Sequence, residues 1–207
     1  VEFPIHGTAW DEMVAQSKFA NWDAFGVYRT GKIGLQDHGD QVSFRNIRVR
    51  RIAKPVLTEE PTDPKDTEVY EPFVEKVTPG AGHGAPSDAI VLFDGTSLDQ
   101  WESVDGGTAA WTLNEDGSMT VADKTGDIRT KESFGDMQLH IEWRSPAEIK
   151  GKNQSRANSG IFLQELYEIQ VLDNNDNPTY VNGQVGSIYK QHVPLVMASA
   201  PTGEWNS

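Results

Sequence analysis

The sequence predicts an all-β fold, a β-sandwich or jelly roll, with one short helix near its start. Three observations carry this. Short runs of strand composition recur along the chain, and several alternate apolar with polar side chains. Gly, Pro, Asn and Asp punctuate them as turns. No long amphipathic helix and no internal repeat interrupts the pattern, so layers of sheet are the way to bury these residues.

The elements follow in order. Thr8 is placed as N-cap of a short helix, with Trp10, Met13 and Val14 as its apolar stripe. Residues 21–30 form an aromatic-rich loop. Residues 31–36 (GKIGLQ) and 42–52 (VSFRNIRVRRI) read as two strands joined as a hairpin through the turn Asp37-His38-Gly39-Asp40. Strict alternation in the second puts Arg45, Ile47 and Val49 on one face and Phe44, Asn46 and Arg48 on the other. Residues 54–88 then hold six of the eleven prolines and eight acidic side chains against three lysines, the composition of an extended linker. This divides the chain into 1–53, 54–88 and 89–207.

Beyond the linker, 90–93 is a strand ending in Asp94-Gly95, and 110–113 and 118–121 flank Asn-Glu-Asp-Gly as a hairpin. In 137–144, Met137, Leu139, Ile141 and Trp143 face one side, and Gln138, His140, Glu142 and Arg144 the other. The stretch 158–173 (NSGIFLQELYEIQVLD) is two strands around Glu165-Leu166. Its second run sets Tyr167, Ile169 and Val171 against Glu168, Gln170 and Leu172, with Asp173 at the end. A carboxylate and an amide thus share one face of an interior strand, and burying an ionised Glu costs several kcal/mol without partners or a ligand.

Composition bounds the function. The 207 residues suffice for one large sandwich or two small domains, and six Trp, eight Phe and five Tyr supply a core. Without Cys there is no disulfide or thiolate chemistry. A net charge of −13 argues against nucleic acid or an anionic membrane as the main partner. No apolar run approaches the length of a transmembrane helix, and VEFPIHG carries no signal peptide, as is also true of a processed secreted protein. The expected location is periplasmic or secreted.

Three polar clusters can carry chemistry: His140, Glu142 and Arg144; Glu168, Gln170 and Asp173; and Gln36, Asp37 and His38 with Arg45 and Asn46. Each has a plain alternative. Glu142 with Arg144 suits a solvated face with a cross-strand ion pair, Glu168 suits a core pairing with an arginine, and His38 suits surface decoration. A carboxylate pair across a groove can instead do acid–base work on a sugar. His with Glu and Asp can hold a divalent cation, although neither HxH nor HExxH occurs. Phosphate-loop, dinucleotide and nucleophile-elbow motifs are absent. Lys32, Arg45, Arg48, Arg50 and Arg51 form a small basic patch that balances charge.

IVLFDGTSLDQWES, NSGIFLQ, YEIQVLDN, GSIY and PTGEWN resemble, in that order, the front part of the 3-keto-disaccharide hydrolase family. SKFA and GKIGLQDHGDQVSFRNIRVR resemble its tail, and TEVYEPFVEKVTPG the lead-in to such a domain. The order is inverted, tail first and head second, and the strands between EWN and the tail are missing. The preferred reading is the end of one copy followed by the start of the next; the other is a permuted, shortened single domain. A partner copy or a further segment would complete a sandwich left with open edges.

The resemblance implies a concanavalin A-like jelly roll whose concave face takes a saccharide, and cleavage of glycosides oxidised at C3. It implies Glu168 or His38 as base and Glu142 as the other carboxylate. Arg144, Arg45 or a divalent cation would stabilise the enolate, and Gln36, Gln170 and Asp173 would hold hydroxyls. The order Glu168, Gln170, Asp173 is also similar to the E-x-D-x-x-E strand of laminarinase-type glucanases, with an amide at the middle position. The alternative to an enzyme is a carbohydrate-binding module with Trp143, Tyr189 or Trp205 as stacking platform. Both readings expect acidic residues from separate strands, or aromatic ones, to meet in one hollow.

Overall fold

Ile33, Leu35, Val42, Phe44, Ile47 and Val49 are 0–1% exposed, so the segment before the linker supplies part of the core. The computed structural model describes residues 8–17, 19–22, 25, 28–52, 62–68, 75–82 and 84–207. They form helix α1 (Thr8–Ala15) and strands β1 (Ile33–Leu35), β2 (Ser43–Arg51), β3 (Ile90–Phe93), β4 (Trp101–Ser103), β5 (Thr112–Leu113) and β6 (Met119–Thr120). Then follow β7 (Ile128–Thr130), β8 (Met137–Arg144), β9 (Ser159–Leu163), β10 (Tyr167–Val171) and β11 (Trp205–Asn206). Residues 69–74 of the expected lead-in at 67–80 lie outside the described residues, as do 54–61 and 83 of the linker.

The strands make the two layers of a jelly-roll sandwich. One sheet runs β10-β9-β1-β7-β4; the other runs β11-β8-β2-β6-β5, with β3 also paired to β2. Each sheet has a strand from 33–51 at its middle: β1 lies between β9 and β7, and β2 between β8 and β6. The tail-like and head-like segments therefore share both sheets.

The expected hairpin of 31–36 with 42–52 is not formed. β1 and β2 enter different sheets, and the turn at 37–40 carries the chain from one layer to the other. Alternation in β2 also breaks. Asn46 has φ 52, and the register against β8 shifts between Arg45 and Arg48. This β-bulge turns Phe44, Ile47 and Val49 all into the core and leaves Arg45 and Arg48 outside.

The core joins the layers through Leu35, Phe44, Trp101, Trp111, Ile128, Phe134, Trp143, Ile161 and Val171. A smaller cluster of Trp10, Phe19, Phe25 and Tyr167 docks α1 against the start of β10. Trp10 and Val14 face it, whereas Met13, expected on the same stripe, is 45% exposed.

Phe44 is fully buried and stacks on Trp111 at 5.7 Å between ring centroids. Phe44→Ala is expected to lower the unfolding free energy by about 3–5 kcal/mol in urea titration. A loss below about 1 kcal/mol would show that this position is not part of the joint core.

Candidate active site

Ile33 and Leu35 in β1, Ile161 and Leu163 in β9, and Ile169 and Val171 in β10 pack into the core. Their alternate neighbours therefore line the outer face of the five-stranded sheet. Register places them in two rows. Glu102, Arg129, Gly34, Phe162 and Glu168 form one. Gly160 and Gln170 form the other, extended by Gln36, whose backbone N donates to Gly160 O at 3.0 Å.

Residues 186–189 continue both rows beyond β10. Tyr189 N donates to Glu168 O at 2.9 Å, Gln170 N to Ser187 O at 3.0 Å, and Ile169 bridges Ile188. Tyr189 thus stands beside Glu168, and Ser187 beside Gln170.

The Gln36–Gly160–Gln170–Ser187 row has an unusual hydrogen-bond balance. Gln36 Oε1, Gln170 Oε1 and Ser187 Oγ are buried without a partner, three of the five such side-chain atoms among the described residues. Gln170 Nε2 is held, donating to Asn158 Oδ1 at 3.1 Å and Gln154 Oε1 at 3.2 Å. Each buried acceptor left unpaired costs on the order of 1–3 kcal/mol. The protein leaves the acceptor capacity of this row unused. Gly160 makes room for the carboxylate beside it, because a Cβ there would lie 2.8 Å from Glu168 Oε1 and 2.9 Å from its Cγ.

Amide side chains frame this row. Gln154 Nε2 donates to Gly183 O at 2.8 Å and Thr179 Oγ1 at 2.9 Å. Asn177 Nδ2 donates to Asp173 O at 2.7 Å and Asn153 O at 3.0 Å. Asn174 Oδ1 accepts from Val185 N at 2.7 Å.

His38 is exposed on the turn leaving β1. Beside it, Asp37 Oδ1 accepts from Gly39 N and its Oδ2 from Gly126 N, while Asp37 N donates to Asp127 Oδ1 at 2.6 Å. Burial lifts the Asp127 carboxyl above the ordinary range, and the nearby Asp37 and Asp105 charges add to the rise. Among the described residues, no group of three or more His, Asp or Glu side chains is gathered to hold a cation.

The other expected residues lie elsewhere. Ile141 and Trp143 of β8 pack with the core, so Glu142 lies on the outer face of the six-stranded sheet. Only 5% exposed, it accepts from Arg45 Nε at 2.6 Å and Asn46 Nδ2 at 3.0 Å. The bulge at Asn46 is what lets both donors reach it. His140 Nε2 lies 3.5 Å away, too far for a good hydrogen bond. Arg144 pairs with Asp116 at 3.1 Å rather than with Glu142. Arg45 and Arg144 both cover the Trp205 ring, at 3.9 and 4.5 Å from its centroid. Asp173 is tied to Arg156 Nε at 2.9 Å and Thr202 Oγ1 at 2.8 Å.

The expected meeting of Glu142 with Glu168 does not occur. The apolar neighbours of each point into the shared core, so the two carboxylates point away from one another through opposite sheets. Gln36, Glu168, Gln170 and Tyr189 are brought together; Glu142, Arg45 and Arg144 form a separate cluster. The reading of the sequence missed Gly160, Arg129, Gln154 and Asn158. NSGIF, where a glycine follows two small polar residues in a strand, was the signal available for the first.

Residues 88–207 match the family model described as the 3-keto-alpha-glucoside-1,2-lyase-like domain. A crystal structure from Parabacteroides distasonis, of a protein provisionally assigned as a glycosyl hydrolase, is 57% identical with a TM-score of 0.64. The alignment covers 69% of this chain, which spans 62% of that one. None of the curated proteins matches.

Burial pushes Glu142 up, but Arg45 and Asn46 outweigh it and hold the carboxyl below the ordinary 4.5. Its stabilisation is therefore complete above that range and is lost as pH falls through the depressed value. The unfolding free energy is expected to fall between about pH 6 and about pH 3, and to fall less in Glu142→Gln. Equal falls in both proteins would remove this ion pair as a source of acid sensitivity.

Proposed function

This chain belongs to the 3-keto-α-glucoside-1,2-lyase-like family, and from that premise we propose that it cleaves glycosides whose sugar carries a ketone at C3. One observation carries the reading. A carboxylate, Glu168, shares the outer face of the five-stranded sheet with two glutamines, and the adjoining row holds buried acceptors without partners.

The chemistry suits such a substrate. A C3 ketone acidifies the hydrogen at C2, so a carboxylate can remove it. The enolate then expels the C1 oxygen, and water added across the new double bond completes an apparent hydrolysis. Glu168 is the base in this scheme. The amides of Gln36 and Gln170 accept sugar hydroxyls in this scheme, beside the Glu168 side chain that folds over Gly160. Arg129 stands in the Glu168 row, its charge taken up by Glu102 at 2.9 Å and Glu165 at 2.9 Å. Arg45, Arg144 and Glu142 take no part, since they face the other way.

A purely binding role draws less support. Trp143 is in the core, Trp205 lies under two arginines on the six-stranded sheet, and Tyr189 is on the five-stranded sheet. The three do not share a platform.

Glu168→Gln is expected to lower turnover of a 3-keto-glucoside by about 100-fold or more, with the thermal unfolding midpoint little changed. Release of the aglycone at an undiminished rate would exclude Glu168 as the base.

A further inference from the structure

Elimination needs a second proton transfer that the residues above do not provide. Base removal at C2 leaves an alkoxide departing from C1, the adjacent carbon. The donor to that oxygen must therefore sit immediately beside the base.

Tyr189 occupies that place. It is the cross-strand neighbour of Glu168, bonded to it through Tyr189 N and Glu168 O at 2.9 Å. The Ile169–Ile188 bridge fixes their register. Side chains in such a pair rise from the same face with Cβ atoms about 4.5–5.5 Å apart. The Tyr189 hydroxyl lies 2.6 Å from that of Tyr180, a short contact between two phenols.

Tyr180 is itself fixed. Its ring lies flat over Gly183, where a Cβ would come 1.9 Å from Cε2, and Lys190 Nζ sits 3.5 Å above the ring centroid. Tyr180 is 38% exposed, so the hydroxyl pair is open to water at its Tyr180 end. We propose that Tyr189 is the acid that protonates the departing C1 oxygen, with Tyr180 returning a proton to it from solvent. This rests on the elimination reading above.

The step balances. Glu168 takes the C2 proton and the C2–H electron pair forms the enolate. Collapse of the enolate restores the C3 carbonyl, makes the C1–C2 double bond and breaks the C1–O bond. The leaving oxygen takes the Tyr189 proton and departs as an alcohol. Tyr180 gives its proton to the Tyr189 phenolate and regains one from water. Burial and the Tyr180 hydrogen bond push the Tyr189 phenol up to about 12, so it holds its proton at neutral pH. A phenol is nonetheless far more acidic than the alcohol it forms.

The test uses the full chain and two 3-keto-glucosides, one with a methyl and one with a 4-nitrophenyl aglycone. Nitrophenolate leaves without being protonated, whereas methoxide does not. Tyr189→Phe is expected to lower kcat on the methyl glycoside by about 100-fold, and the loss there should exceed that on the nitrophenyl glycoside by at least about 30-fold. Tyr180→Phe should shift the same ratio in the same direction by a smaller factor. Equal losses on the two substrates, or none, would overturn the assignment, because a merely structural tyrosine does not sense its leaving group. Glu168→Gln separates the two ideas. If it fails on both substrates while Tyr189→Phe shows no leaving-group bias, only the acid is wrong; if it retains activity on both, the elimination reading falls as well.

Discussion

The whole arrangement depends on two backbone ladders. β1 is clamped between β9 and β7, and β2 between β8 and β6. Each is the centre of its sheet, and their apolar side chains meet across the sandwich. The Gln36 amide reaches the polar face because Leu35, one residue earlier, is locked into the core. Glu168 stands beside Gln170 and Tyr189 because β10 pairs on both sides, with β9 and with 186–189. Ladder register sets the spacing of these groups, and the core sets the direction in which they point.

The two outer faces use polar residues differently. On the six-stranded sheet, Glu142 is saturated by Arg45 and Asn46, and Arg45 and Arg144 close over Trp205. That cluster pins β11 to the sheet and leaves little capacity for a ligand. On the five-stranded sheet, the amides of Gln154, Asn158 and Asn177 support Gln170 and the following loop, yet acceptor oxygens stay unpaired. The first pattern is saturated and the second leaves acceptor capacity unused, although both began as similar mixtures of Glu, Gln and Arg on alternating strands.

Much of this was legible in the amino acids. The alternation of 137–144 and 167–171 announced strands with one apolar side, and Asn-Glu-Asp-Gly announced the β5–β6 hairpin. Strands β4 and β7 were not, since three residues are too few to show a period. Alternation also tells which neighbours a side chain opposes but not which layer its strand joins. Sequence adjacency therefore predicts a β1–β2 hairpin and a meeting of Glu142 with Glu168, and neither forms. Asn46 shows a second limit. One residue with positive φ inserts an extra step, and every side chain after it changes face relative to the pattern read from the other end.

The placement of β1 and β2 has a consequence for how the molecule is joined. Between β2 and β3, none of the described residues from 62 to 89 is paired in a strand. A cut among them would remove no strand pairing. The shorter piece would carry the middle of each sheet and the longer piece its flanks. In that respect the protein is a pair of complementary fragments on one string, each furnishing the hydrogen-bonding partners that the other lacks.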